Sequence, residues 1–211
     1  MIHTLLEESA EMAKKLEFFY DCSSPWTYLA FTKIEEVAAR HDAELSWHPI
    51  LVGGVFNTVN PSVYEGRAHP IRPKARYYGK DLQDWANYYG IKIGQPTVFP
   101  VNSVKAMRGA FVALEHGKIS EYSRRVFEAY WGANRDISQD TELRPIVKQV
   151  GLEEREFFQK INNPEYKDKL RNNTDELIER GGFGSPTIFV DGSMFFGNDR
   201  LPLVEHELAR R

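Results

Sequence analysis

The chain has 211 residues, of which 42% are hydrophobic and 27% charged, and these values are typical of a globular protein with a substantial core. The formal net charge is −3 and the pI about 6.1, so the composition indicates neither a nucleic-acid-binding nor a membrane-binding surface. No apolar run approaches the ~20 residues of a membrane span, and the acidic first segment lacks the apolar core of a signal peptide. A single cysteine cannot form an internal disulfide, so we expect a protein of the reducing cytoplasm.

The first part of the chain predicts a strand, a helix and a second strand. Residues 16–21 form an apolar run that ends in an acid, and apolar residues then recur at helical spacing over 26–40. Pro25 suits the first helical turn, and Ser24 stands in the N-cap region. Residues 43–52 alternate and then become apolar, which predicts a second strand, parallel to the first, in a βαβ unit.

The middle of the chain predicts a loop followed by helices. Residues 55–75 are rich in Asn, Pro and Gly, and we predict a long loop there, of a length that is usually functional or mobile. From about 74 to 180, apolar residues recur at three- and four-residue steps, which predicts a series of helices. Gly90 is expected to end one of them and Ser103 to cap the start of another.

The end of the chain predicts a strand, a tight turn at Asp191-Gly192, another strand and a short helix. Strands therefore lie at both ends of the sequence, with helices between them. The predicted fold class is α/β, with an inserted all-helical subdomain. The predicted units are an α/β domain over 15–73 and 181–211, a helical insertion over 74–180 and an N-terminal extension over 1–14.

The segment "DCSSPWTY" at 21–28 is the first candidate site. A strand, a polar turn with Pro and a helix form the place where thioredoxin-like proteins carry a redox C-x-x-C, but here that slot is S-P-W-T. The start of a helix favours an anion, and the Ser24 hydroxyl could donate a hydrogen bond to a thiolate supplied by another molecule. With no base beside it, this hydroxyl would be a poor nucleophile. The alternative is that Ser24 is only a helix cap.

Cys22 and the histidines do not predict a redox or metal site. Without a second cysteine at C-x-x-C spacing, a paired disulfide exchange is excluded, and we expect Cys22 to be a small buried residue. A peroxide-sensing thiol is the alternative. The histidines show no metal-ligand spacing, so no metal site is predicted.

Two further polar segments lie near the end of the chain. Ser185-Pro186 precedes the terminal hairpin, where thioredoxin-like folds place a cis-proline that faces the active-site helix. A cis bond there would expose the backbone of Ser185 for pairing with an extended peptide. Asn198 and Asp199 follow the last strand and could hold the ammonium and carboxylate of a ligand, or could simply cap the closing helix.

Several segments, taken together, resemble the 2-hydroxychromene-2-carboxylate isomerase family. These proteins are close relatives of the kappa-class glutathione transferases and have the thioredoxin-like fold of the bacterial disulfide-forming oxidoreductases. The resemblance spans nearly the whole chain in family order. It is carried by "FFYDCSSPWTYLA" (18–30), "HPILVGGVFN" (48–57), "FPVNSVKAMRGA" (99–110), "FEAYWGANRDIS" (127–138) and "GSPTIFVDGSMFFGNDRL" (184–201).

The resemblance implies glutathione as cofactor and assigns roles to particular residues. The Ser24 hydroxyl would face the glutathione sulfur, and Ser185, before Pro186, would pair with the cysteinyl part. Asn198-Asp199 would hold the γ-glutamyl end. Less directly, Asn57 would line the cofactor or substrate side, and Lys105 and Arg108 would attract a substrate carboxylate, although both could equally belong to a solvated face.

The resemblance also implies a reaction. The family interconverts 2-hydroxychromene-2-carboxylate and trans-o-hydroxybenzylidenepyruvate, in aromatic catabolism, by reversible addition of the glutathione thiolate. The expected partners are thus a small aromatic carboxylate as substrate and a second copy of the chain in a homodimer. A kappa-like glutathione transferase is the first alternative, and a non-catalytic module that binds glutathione or a peptide is the second.

Overall fold

The computed structural model describes residues 13–210, so the predicted extension over 1–14 lies almost wholly outside the described residues. A four-stranded sheet has the order β2-β1-β3-β4, in which β1 is parallel to β2 and antiparallel to β3, and β3 is antiparallel to β4. The strands are β1 (Lys15–Tyr20), β2 (Glu44–Pro49), β3 (Thr187–Val190) and β4 (Ser193–Phe196).

Helices surround this sheet. The helices before the long helical region are α1 (Pro25–Arg40), α2 (Val52–Val59) and α3 (Ser62–Ala68). Those that follow are α4 (Arg72–Tyr89), α5 (Val104–Glu115), α6 (Ile119–Phe127), α7 (Asp140–Gln149), α8 (Glu154–Asn162) and α9 (Pro164–Glu179). The closing helix is α10 (Leu201–Ala209), and a π-helical turn (Glu128–Gly132) and a 3₁₀ turn (Asn198–Arg200) complete the elements.

The alternation of β1 divides the core into two layers, since successive side chains of a strand point to opposite faces. Phe18 and Tyr20 are fully buried in the larger layer, together with apolar residues of α1, α10 and the helical region. Phe19 points the other way and packs with Val55 of α2 and Leu177 of α9. Helices therefore cover both faces of the sheet, as the α/β prediction requires.

The βαβ unit and the terminal hairpin are confirmed. Helix α1 begins as predicted, with Pro25 in its first turn and Ser24 as N-cap, accepting a hydrogen bond from the Thr27 N–H at 3.2 Å. The hairpin turns at Asp191 (φ 46°) and Gly192 (φ 91°), which both adopt the left-handed conformation that such a tight turn needs.

The predicted loop over 55–75 is wrong. Helices α2 and α3 occupy most of it, and α4 starts at Arg72. Helix α2 includes Gly53 and Gly54, which disfavour a helix, and α3 has no buried residue and therefore no apolar face against the core. Helix α2 is held by tertiary contacts, because Val55 is fully buried beside α9.

The boundaries of the predicted insertion at 74 and 180 stay a prediction. The core is continuous between the predicted 15–73 unit and the predicted insertion. The Tyr20 and Ser123 hydroxyls lie 2.7 Å apart, and the rings of Tyr28 and Phe127 stack with their centres 5.0 Å apart. Among residues 13–210, no helix has both the length and the hydropathy that a bilayer crossing requires.

Two helical glycines test how tightly α5, α6 and α8 are packed. A Cβ on Gly109 would overlap the Tyr122 hydroxyl and the Phe157 ring, both buried, whereas one on Gly79 would meet nothing within 4 Å. We expect Gly109→Ala to lower the free energy of unfolding by about 1–3 kcal/mol through overpacking. We expect Gly79→Ala, the matched control, to raise it by about 0.5–1 kcal/mol because alanine favours a helix. Urea unfolding measures both, and equal effects would contradict the packing.

Candidate active site

A cavity of about 1220 Å³ opens where α1 and α2 begin and where the segments before β3 and after β4 meet. Its wall includes the six residues that the sequence predicted as catalytic or glutathione-binding. These are Ser24, Asn57, Ser185, Pro186, Asn198 and Asp199.

Ser24 stands at the N-terminal end of α1, on the cavity wall. Its oxygen accepts from the Thr27 N–H, and its hydroxyl donates to the Ser185 carbonyl at 3.1 Å. The first turn of α1 carries no acidic residue, so no side chain of that turn opposes the positive end of the helix dipole. Since a hydroxyl has one proton, Ser24 must turn away from Ser185 before it can donate to a ligand.

The Ser185–Pro186 peptide is cis, as predicted. The Ser185 side chain accepts from the Asp21 N–H at 3.0 Å and lies 2.8 Å from the Thr27 hydroxyl. The loop that contains the cis-proline is therefore bound to both sides of the strand–helix turn. This places the Ser185 backbone next to the Ser24 hydroxyl.

Asp21 connects the site to the rest of the fold. Its fully buried carboxylate accepts from the Val52 N–H at 2.8 Å, the Ser23 N–H at 2.9 Å and the Ser103 hydroxyl at 3.1 Å. Burial raises the pKa of Asp21, and these hydrogen bonds oppose that shift. Ser103 is the N-cap residue of α5, as predicted, but its side chain forms no capping hydrogen bond, because its hydroxyl donates to Asp21 instead.

Asn198 and Asp199 differ in their surroundings. Asn198 is 2% exposed, and within residues 13–210 neither its side-chain oxygen nor its side-chain nitrogen has a hydrogen-bond partner. Asp199 is half exposed and pairs with Arg200 at 2.6 Å. An unpartnered buried amide is rare in proteins, and here it lines the cavity.

Asn57 and Asn60, which also line the cavity, have hydrogen-bond partners. The Tyr64 hydroxyl donates to Asn57 at 2.8 Å, and the Asn60 amide donates to the Phe183 carbonyl at 3.1 Å. These contacts join α2 and α3 to each other and to the segment before the cis-proline. Asn57 is exposed and lines the cavity.

The two basic residues considered for a substrate carboxylate do not line the cavity. Lys105 forms an ion pair with Asp140 at 2.7 Å, and Arg108 donates to the Ile161 carbonyl at 3.1 Å. The cavity is lined instead by Arg67 and Arg200. Arg67 was missed because it lies in the segment predicted to be a loop.

Cys22 is buried, as expected, with 1% of its surface exposed. Burial, together with the nearby charge of Asp21, raises the pKa of its thiol well above the ordinary value. A reactive cysteine has a lowered pKa and access to solvent, so this thiol is not suited to peroxide sensing.

The sheet order and the cis-proline beside the start of α1 define a thioredoxin-like fold. The family model of the DsbA-like thioredoxin domain matches residues 15–209, and the chain belongs to this family.

The chain is also similar to enzymes over nearly its full length. It is 27% identical to a 2-hydroxychromene-2-carboxylate isomerase of Sphingobium xenophagum, over 93% of this chain and 99% of the relative. It is 27% identical to glutathione S-transferase kappa 1 of Homo sapiens, over 95% of this chain and 93% of the relative. A solved 2-hydroxychromene-2-carboxylate isomerase superimposes with a TM-score of 0.79 at 26% identity, covering 93% of this chain and 95% of the other.

The hydrogen bonds of Asp21 predict a cost for replacing one of its acceptor oxygens with an NH₂ group. In Asp21→Asn, the amide NH₂ would face donors that now point at an oxygen, so we expect the free energy of unfolding to fall by about 1–3 kcal/mol. Asp168→Asn, which alters an exposed pair with Arg171, should change it by less than about 1 kcal/mol. Urea unfolding of both variants makes the comparison. Equal stabilities would show that the Asp21 carboxylate does not hold these segments together.

Proposed function

We propose that this protein is a glutathione-dependent isomerase of 2-hydroxychromene-2-carboxylate or a similar ring-opened aromatic acid. The observation that carries the proposal is the buried, unpartnered amide of Asn198 in the cavity that Ser24 also lines. The names of the similar enzymes support the same reading.

Asn198 fits the amino-acid end of glutathione. Leaving a buried polar group without a partner costs about 1–3 kcal/mol, so its retention points to a partner that comes with a ligand. The γ-glutamyl end carries an ammonium and a carboxylate. Both polar atoms of the Asn198 side chain are buried, so the side chain must first turn towards the cavity; the oxygen can then accept from the ammonium and the NH₂ donate to the carboxylate. The Asp199 carboxylate lies beside it on the wall and favours the ammonium.

Ser185 and Ser24 fit the cysteinyl part. The Ser185 carbonyl, which now accepts from Ser24, can accept from a peptide N–H instead, as one strand accepts from another. That exchange releases the Ser24 proton for a sulfur at the start of α1. Ser24 keeps its hydrogen bond from the Thr27 N–H, which holds the oxygen in place.

The free energy needed to hold glutathione as a thiolate is modest. Lowering a thiol pKa from ~8.5 by about 2 units needs ~2.7 kcal/mol of preferential stabilisation of the thiolate. One hydrogen bond to a charged acceptor and the end of a helix can together supply it. The chemistry that glutathione supplies is reversible addition of a thiolate to a conjugated carbon, which allows rotation about the former double bond before elimination restores it.

A kappa-class-like glutathione transferase is the second candidate, favoured by the similarity to the human kappa enzyme. It would use the same residues to hold the thiolate. The two functions differ in whether glutathione is regenerated or consumed.

An assay with 2-hydroxychromene-2-carboxylate tests the proposal. With catalytic glutathione, we expect conversion to trans-o-hydroxybenzylidenepyruvate while the total free thiol stays constant. Stoichiometric loss of thiol would favour the transferase. If neither conversion nor thiol loss occurs and glutathione does not bind, both proposals are wrong.

Ser24→Ala tests the thiolate donor. We expect kcat to fall by about 100-fold, because one hydrogen bond to the reacting anion is lost. Ser23 also lines the cavity but, unlike Ser24, forms no hydrogen bond with Ser185, so Ser23→Ala should keep kcat within about threefold. Circular dichroism checks that both variants fold, since Ser24 is also a helix cap. Equal kcat values for wild type and Ser24→Ala would contradict its role.

Asn198→Ala separates binding from stability. We expect glutathione affinity to fall by about tenfold or more, while the free energy of unfolding of the ligand-free protein falls by no more than about 1 kcal/mol, because no hydrogen bond is lost. Cysteinylglycine, which lacks the γ-glutamyl group, serves as the control ligand, and its affinity should not change. Isothermal titration calorimetry measures both ligands. Unchanged glutathione affinity would show that Asn198 does not hold this end.

A further inference from the structure

We propose that Arg67 binds the carboxylate of the aromatic substrate and so selects planar aromatic acids; this rests on the proposed function. Arg67 lies in the last turn of α3 and lines the cavity that Ser24 and Asn198 also line. Its guanidinium carbon lies 5.6 Å from the centre of the Phe56 ring and 5.2 Å from that of Phe99.

These two rings hold Arg67 without using its hydrogen-bond donors. A guanidinium over an aromatic face is held by a cation–π interaction, which leaves its N–H groups in the plane available. Those groups match a carboxylate in two parallel hydrogen bonds. No carboxylate of residues 13–210 forms an ion pair with Arg67, whereas Arg200, the other cation of the wall, pairs with Asp199.

The surroundings of Arg67 favour an aromatic acid over the glycyl carboxylate of glutathione. Phe56, Tyr64 and Phe99 lie on the same wall, and the Phe56 and Tyr64 rings meet edge to face at 6.3 Å. A ring conjugated to the carboxylate would pack against these side chains, and the glycyl end has no ring. Asn198, Ser185 and Ser24 already account for the γ-glutamyl and cysteinyl parts of glutathione.

The test uses two probes that differ in the carboxylate. Benzylidenepyruvate carries a ring, an enone and a carboxylate, and benzylideneacetone carries the ring and the enone only. Saturating S-methylglutathione occupies the cofactor site without adding to either probe. Quenching of the fluorescence of Trp26 and Trp85, which line the cavity, reports binding.

We expect Arg67→Gln to lower the affinity for benzylidenepyruvate by about tenfold or more and to leave the affinity for benzylideneacetone within about twofold of the wild-type value. Arg76→Gln removes an exposed arginine of α4 that does not line the cavity, and it should change neither affinity. In turnover, the loss in Arg67→Gln should appear mainly in KM.

Three results would overturn the inference. An equal loss of affinity for both probes would mean that Arg67 only shapes the wall of the cavity. No loss of affinity for either probe would mean that Arg67 does not contact the ligand. Weaker binding of glutathione but not of γ-glutamylcysteine, with benzylidenepyruvate unaffected, would assign Arg67 to the glycyl carboxylate. In each case wild-type protein that binds glutathione and isomerises its substrate leaves the proposed function standing.

Discussion

The buried carboxylate of Asp21 receives hydrogen bonds from segments that are far apart in the sequence. Val52 begins α2, Ser103 precedes α5, and the Asp21 N–H reaches Ser185 beside the cis-proline. A buried carboxylate is costly unless its oxygens are satisfied, so these segments are held where their donors point at it. Ser23, Val52, Ser103 and Ser185 all line the cavity, so this one group holds together parts of its wall that come from four segments.

The polar groups of the site differ in whether they must break an existing hydrogen bond before they can bind a ligand. Ser24 and Ser185 satisfy each other, and both must exchange partners when a peptide enters. Asn198 has no partner to give up, so its interaction with a ligand is not offset by a broken hydrogen bond. We infer that affinity depends mainly on the end of the cavity near Asn198, and that Ser24 contributes mainly to the chemistry. Cys22, buried and with a raised pKa, takes no part.

The sequence predicts those features that depend on neighbouring residues. The cap at Ser24, the alternation of β1 and the turn at Asp191-Gly192 each follow from a local pattern, and the structure has all three. Features held by distant contacts were missed. Helix α2 forms despite Gly53 and Gly54 because it packs on α9, and Ser103, although it is the N-cap of α5, directs its hydroxyl to Asp21 rather than to the helix.

The candidate site divides in the same way. Residues in short motifs, such as Ser185-Pro186 and Asn198-Asp199, could be placed from the sequence, and the structure brings them to one cavity. Arg67 has no motif, and its position depends on Phe56 and Phe99, which are brought to it by the fold. The residues that discriminate between substrates are therefore harder to predict than those that hold a common cofactor.

The central claim is that this site holds glutathione as a thiolate. The most direct measurement is a pH titration of the ultraviolet absorbance of the thiolate in the glutathione complex, with wild-type protein and with Ser24→Ala. The account predicts that the bound thiol ionises well below its usual pKa of ~8.5 and that the shift shrinks in Ser24→Ala. A bound thiol whose pKa stays at the value of free glutathione in the wild-type protein would contradict it.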